Sequence, residues 1–293
     1  MYITGIADEA AADLEGQIEA LRTLGWKYID LRTVDGVNVT NLSEEAFDTL
    51  VRRLDEAGLQ VSSLCSEIAN WGRSIDEPFD RDVAELKRAL PRMKRMGTSM
   101  IRIMSYRAPE GRVGDHPREE EEIITRLREL TALAREYGCV CLHENCETWG
   151  GQSPDHTLRL LEEIDSPSFQ LVFDTGNPFA TADRRDGAPE RMQNTLDFYR
   201  RVRKHVAYVH IKDGRLVDGE VQYTYPGEGE GMVREFLREL QRDGYDGGVS
   251  IEPHTAVVFH NPSIKADPQE RRDSFIEYGE RTKALLREVG YAP

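Results

Sequence analysis

The sequence predicts an α/β fold, a single (β/α)8 TIM barrel over residues 1–293, and three observations carry that expectation. Eight short apolar runs alternate with eight stretches of helical periodicity and no linker separates them, which is the pattern of repeated parallel βαβ units. A chain of 293 residues also matches the size of one such barrel, about 250 residues. Finally, four runs in the second half end in a polar residue at the corresponding place: Val140 to Glu144, Leu171 to Asp174, Val206 to His210 and Val249 to Glu252. Such residues converge only if the strands run parallel with their C-terminal ends on one face, where barrels build active sites. An open doubly wound sheet is the alternative, but no Gly-x-Gly-x-x-Gly follows the first run.

Taken in order, Ile3 to Ala7 is the first strand, and Leu14, Ile18, Leu21 and Leu24 follow at helical spacing until Gly25. Tyr28 to Leu31 is the second strand. Ser43 is positioned to cap a helix carrying Phe47, Leu50 and Leu54, which Gly58 ends. Val61 to Cys65 is the third strand and leads into a loop, Ser66 to Gly72, on the expected active face. The next helix runs through Leu86, Leu90 and Met93 to Gly97, and Pro91 should kink or break it. Met100 to Met104 is the fourth strand, followed by a polar loop and a helix through Leu127, Leu130 and Leu133 to Gly138.

The fifth strand carries Glu144, and Ser153-Pro154 opens the helix behind it. The sixth carries Asp174, with a long loop, 175–189, before a helix through Met192, Leu196, Tyr199 and Val202. The seventh carries His210, and the glycine-rich segment 214–231 should be a hairpin-like excursion or lid. A helix through Val233, Phe236 and Leu240, the eighth strand with Glu252, loop 253–268 and a last helix with Phe275 and Leu285 complete the chain.

Composition narrows the function. The formal net charge is -15, which repels polyanions, so a nucleic-acid partner is not expected. No apolar run is long enough to cross a bilayer and no basic-then-hydrophobic leader opens the chain, so the expectation is a cytoplasmic protein without membrane attachment. None of Cys65, Cys139, Cys141 and Cys146 forms a C-x-x-C pair, and Cys139 and Cys141 should pack under helices as buried thiols.

Side chains alternate along a strand. If Glu144 faces the barrel axis, so do Leu142 and Val140; Asp174 brings Val172, Glu252 brings Ser250, and His210 brings Tyr208, Val206 and Lys212. Taken singly, each carboxylate reads as a strand-end cap, and His210 as an ordinary core histidine. As a set, three carboxylates and one imidazole suit a divalent metal.

The ordered motifs His143-Glu144-Asn145, Phe173-Asp174-Thr175-Gly176-Asn177, His210-Ile211-Lys212-Asp213-Gly214, Pro226-Gly227-Glu228-Gly229, Gly244-Tyr245-Asp246-Gly247 and Ser250-Ile251-Glu252 resemble the xylose isomerase-like barrel superfamily of sugar isomerases and epimerases. That resemblance implies one divalent ion, Mn2+ first and Mg2+, Co2+ or Zn2+ as alternatives, on Glu144, Asp174, His210 and Glu252. It implies that Glu144 and Glu252 serve as acid and base on opposite faces of a keto-sugar, sugar acid or cyclitol. The ion would polarise the carbonyl and stabilise an enediolate. Lys212 is a rival base or a fixed positive charge, since a nearby cation and desolvation should depress its pKa.

Asn177 stands where epimerases of this group carry a histidine, and it donates a hydrogen bond without shuttling a proton. Arg215 matches an arginine after the metal histidine. Substrate contacts are therefore expected from Asn177, Arg215, His254, Glu67 and Trp71. A lyase or dehydratase sharing the enediolate is the alternative function. A non-catalytic sugar-binding barrel and an endonuclease IV-like nuclease rank below it; the nuclease needs more histidines than His116, His143, His156, His205, His210, His254 and His260 supply. By the same resemblance the partner is a small carbohydrate, without a visible phosphate signature, and the protein a homo-oligomer.

Overall fold

A computed structural model describes residues 1–185, 191–257 and 266–292; His260 and parts of the loops after the sixth and eighth strands lie outside them. Eight parallel strands form the barrel: β1 (Tyr2–Gly5), β2 (Tyr28–Leu31), β3 (Gln60–Cys65), β4 (Met100–Ile103), β5 (Val140–Glu144), β6 (Phe169–Asp174), β7 (Val206–Ile211) and β8 (Gly248–Ile251). They pair in the order β1-β8-β7-β6-β5-β4-β3-β2, and a parallel bridge between Ile6 and Asp30 joins the two ends. Among the described residues eight α-helices surround them: α1 (Leu14–Thr23), α2 (Glu44–Ala57), α3 (Asp80–Met96), α4 (Pro117–Glu136), α5 (Pro154–Ile164), α6 (Thr195–Val202), α7 (Val233–Arg242) and α8 (Pro268–Glu288). None of them is long and apolar enough to cross a membrane.

Local chemistry sets the helix ends. Ser43 Oγ accepts the Ala46 N–H at 3.2 Å to start α2, and Gly58, at φ 70°, ends it in the left-handed conformation that glycine adopts without a Cβ penalty. The helix with Pro91 continues through it, so of the kink or break expected there the break does not occur. Pro91 and Lys87, whose carbonyl loses its partner, both face solvent, so the missing bond falls on the wet side of the helix while Leu86, Leu90 and Met93 stay buried. Met192 falls outside α6, which begins at Thr195 because the Asn194 side chain accepts the Asp197 N–H.

Most apolar residues, including Cys139 and Cys141, fill the layer between strands and helices. A small separate cluster, Leu142, Val172 and Tyr208, fills the barrel interior as alternation requires. Val206 departs from the expected pattern. A register shift opposite Leu171 and Val172 inserts an extra residue in β7, so Ala207 packs inward and Val206 joins the outer layer. Below the polar mouth, Tyr208 donates to Asp30 Oδ1 at 2.7 Å and shares a hydrogen bond with Ser62, which also meets Tyr2 at 2.9 Å.

After β7 the chain makes an antiparallel hairpin, Gly214–Val217 with Glu220–Tyr223. The glycines that follow wrap around one buried carboxylate. Asp213 Oδ1 accepts the N–H groups of Gly214 and Gly231, both at 2.9 Å, and Oδ2 those of Gly227 at 2.7 Å and Gly229 at 3.1 Å. This accounts for the glycine run without a phosphate, because a Cβ at Gly229 would collide with the Gly214 carbonyl and the carboxylate. Asp213→Ala leaves those donors without their acceptor and should lower stability by about 3 kcal/mol. Hydrogen exchange at Gly227, Gly229 and Gly231 is the readout; amides that stay protected in the variant would contradict this role.

Candidate functional site

The parallel register brings the key residues to the same end of neighbouring strands. Asp174 is the Cα partner of His210, which is in turn the partner of Ser250, two residues before Glu252; Glu144 is the partner of Val172. As a result, one ligand atom from each of Glu144, Asp174, His210 and Glu252 lies within 4.8 Å of the other three, and all four side chains are buried. His210 Nδ1 is 3.3 Å from Glu144 Oε1 and 3.8 Å from Glu252 Oε2.

Backbone contacts aim these groups. Asp174 Oδ1 accepts the N–H groups of Gly176 at 2.7 Å and Asn177 at 2.9 Å, leaving Oδ2 for the centre. The Asn145 side chain clamps the Asp174 backbone, accepting its N–H at 2.7 Å and donating to its carbonyl at 3.0 Å. Thr175 Oγ1 donates to the Lys212 carbonyl at 2.7 Å and receives the Lys212 N–H at 3.1 Å, tying β6 to β7. Gly176 permits this approach, since a Cβ there would lie 2.7 Å from Lys212 Cγ. His143 points to the other face, 3.0 Å from Ser105 Oγ, where burial lowers its pKa to about 4 and keeps it neutral.

Arginines absent from the sequence reading complete the centre. Arg32 reaches Asp8 at 2.9 Å, Glu9 at 3.2 Å and Glu252 Oε1 at 2.8 Å, and Arg102 Nη1 lies 3.2 Å from Glu144 Oε2. Burial alone would raise the Glu144 pKa, but Arg102 and His210 outweigh it and bring it down to about 2. Glu252 is held well below the carboxylate range against the same burial, by Lys212, His254 and Arg32. Asp174 goes the other way, up to about 6, because burial and the charges of Glu252 and Glu144 exceed the pull of Lys212.

Lys212 Nζ stands 3.1 Å from Asp174 Oδ2 and 3.2 Å from Glu252 Oε2. Burial disfavours its charge, but these carboxylates raise its pKa well above that of a free lysine.

The donor set fits a divalent cation. It is oxygen-rich with one imidazole, and Glu144 Oε2 and Asp174 Oδ2 are buried with no aligned hydrogen bond among the described residues, each facing a charged side chain, Arg102 and Lys212, at ion-pair distance.

Above the cluster lies a cavity of about 360 Å³ whose wall includes Glu144, Glu252, Lys212, Glu67, Trp71, Asn177 and His254. Arg215 does not line it. The hairpin after β7 starts its own alternation, which turns Arg215 to solvent, while Val221 and Tyr223 face the cavity. His254 is part of the buried wall. Its N–H donates to Glu9 Oε2 at 2.7 Å, its Nδ1 lies 2.8 Å from Glu9 Oε1, and its Nε2 is 3.9 Å from Glu252 Oε1.

The strand-end rule that located the first four residues extends to Glu9 and Arg32, which follow the first two strands. Arg102 lies within β4 and carried no such signal. Arg32→Met leaves three buried carboxylates without their shared cation and should lower stability by about 3–5 kcal/mol. Urea unfolding measures this, and a loss below about 1 kcal/mol would show the network to be energetically idle.

The profile of the family described as "Xylose isomerase-like TIM barrel" matches residues 18–279. The inosose dehydratase of Lacticaseibacillus casei is 23% identical over 159 residues, 49% of this chain and 50% of that protein. The chain thus aligns with about half the length of that relative. Among solved structures, the IOLI protein with a binding zinc atom superposes with a TM-score of 0.76 at 15% identity, covering 100% of both chains. D-Psicose 3-epimerase with D-tagatose, from Clostridium cellulolyticum H10, gives a TM-score of 0.71 at 14% identity, again over 100% of both chains. At these identities the two structures speak for the fold. Because the profile runs from α1 into α8, across the strands that carry all four clustered residues, the chain belongs to the xylose isomerase-like TIM barrel family.

Proposed function

We propose that this protein is a divalent-metal-dependent isomerase or epimerase that removes a proton next to the carbonyl of a keto-sugar, sugar acid or cyclitol. The observation that supports it is the gathering of Glu144, Asp174, His210 and Glu252 beneath a cavity at the barrel mouth. These four residues would hold the ion, Mn2+ first among Mn2+, Mg2+, Co2+ and Zn2+, and the bound ion would supply Lewis-acid polarisation of the carbonyl.

The chain's own residues do the rest. Glu144 and Glu252 both line the cavity and are held ionised, so either is ready to accept a proton from an acidified C–H, and the second returns it. Their basicity is low in isolation, so the transfer depends on a carboxylate oxygen lying close to the C–H. The Lys212 ammonium provides a preorganised charge for the developing oxyanion. Asn177 Nδ2, buried without an acceptor among the described residues, is a donor for a substrate hydroxyl.

Elimination of water from the same enediolate is the second reading. The pairing of His254 with Glu9 favours it, because a carboxylate-oriented imidazole near Glu252 suits proton delivery to a departing hydroxyl. The named activity of the Lacticaseibacillus casei relative supports the same direction.

Incubation with keto-sugars and keto-cyclitols in D2O, followed by mass spectrometry, separates these outcomes. Isomerisation or epimerisation places solvent deuterium in a product isomeric with the substrate, whereas elimination yields a product lighter by one water. Glu144→Gln and Glu252→Gln should each reduce exchange by about 10²–10⁴-fold, and chelation should abolish it until Mn2+ is restored. Exchange that survives both substitutions and chelation would refute the proposal.

A further inference from the structure

The cavity over the carboxylate cluster continues past Trp71. A second chamber of about 550 Å³ adjoins the first, of about 360 Å³, and the two share Trp71, Glu147, Ala180 and Thr181 as a common wall. The reacting groups belong to the smaller one: Glu144, Lys212 and Glu252 line it and do not line the larger. At the low end of the usual size for small-molecule sites, about 300–1,000 Å³, the first chamber suits one ring. A free monosaccharide would leave the larger space unused.

Two kinds of surface meet in that larger space. Trp71 and Met192 are 45% and 43% exposed, and both lie in this wall. Ala108, Ala180 and Ala182 keep the rest of the apolar surface low. A flat apolar wall with an indole takes the C–H face of a pyranose. Beside it stand hydrogen-bonding groups suited to ring hydroxyls. The Glu147 carboxylate and the Arg107 guanidinium line the chamber, and neither side chain pairs with another group among the described residues. Both signs of charge are present, which matches a neutral polyhydroxylated ligand better than an anion.

We infer that the second chamber is a subsite for a hexosyl unit linked to the ketone-bearing ring, so that the substrate class is a glycosylated ketose. The placement of the ketone end rests on the function proposed above. The occupancy of the second chamber does not.

Isothermal titration in the presence of Mn2+ compares D-fructose with isomaltulose, the same ketose carrying a glucosyl group. The inference predicts at least about tenfold tighter binding of isomaltulose, that is, about 1.4 kcal/mol. Met192→Trp, which fills the chamber from an exposed position, should bring the two sugars to within about twofold and leave D-fructose binding unchanged. Arg107→Ala, at a residue that lines the second chamber and not the first, should weaken isomaltulose alone, and thermal unfolding confirms that the variants fold. Equal affinities, binding of neither sugar, or a glucosyl preference that survives Met192→Trp would overturn the subsite. Solvent deuterium exchange reads the reaction separately: preferential isomaltulose binding without exchange counts against the proposed chemistry alone, and exchange without glucosyl preference counts against the subsite alone.

Discussion

Three buried carboxylates within a few ångströms of one another repel, and much of the structure answers that constraint. Without compensation, removing them from water would drive them to take up protons or unfold the barrel mouth. Compensation comes from different elements: Arg32 after β2 for Glu252, Arg102 in β4 for Glu144, and Lys212 after β7 for Asp174 and Glu252. It is incomplete at Asp174, whose pKa stays raised to about 6, chiefly by burial. The physical argument for a cation at this point is the convergence of three carboxylates and one imidazole, with one ligand atom of each within 4.8 Å of the others.

The same constraint explains why the loops are so firmly anchored. Asp174 spends one oxygen on the turn that follows it, and Asn145 and Thr175 tie adjoining strand ends together. Asp213 gathers the glycine-rich loop beneath the hairpin, whose Tyr223 ring stands edge-on to His254 at 4.9 Å. His254 adopts φ 54°, a left-handed conformation that Glu9 stabilises through both the backbone N–H and the imidazole. These contacts place side chains from distant parts of the chain in one wall.

The barrel was legible because parallel strands buried on both faces read as apolar runs, and because the polar residue that ends each run is chemically conspicuous. Glu144, Asp174, His210 and Glu252 stood out in this way. Arg32 and Glu9 obey the same rule, but beside long-range partners such as Glu252 their significance emerges only when the barrel closes. Arg102 sits within a strand, where nothing local separates it from a surface arginine. Arg215 and Val206 show the limit of alternation: a new hairpin and a one-residue bulge each reset which side faces inward. Pro91 shows the limit of propensity, since a lost hydrogen bond on the wet side of α3 leaves its buried face intact.

The central claim is that these four residues share one cation. Anomalous diffraction at the manganese edge from crystals grown with Mn2+ tests it directly. The account predicts a single strong peak in bonding contact with Glu144, Asp174, His210 and Glu252, with the Lys212 ammonium displaced from Asp174. A peak elsewhere, or no peak while Lys212 keeps both carboxylates, would contradict it.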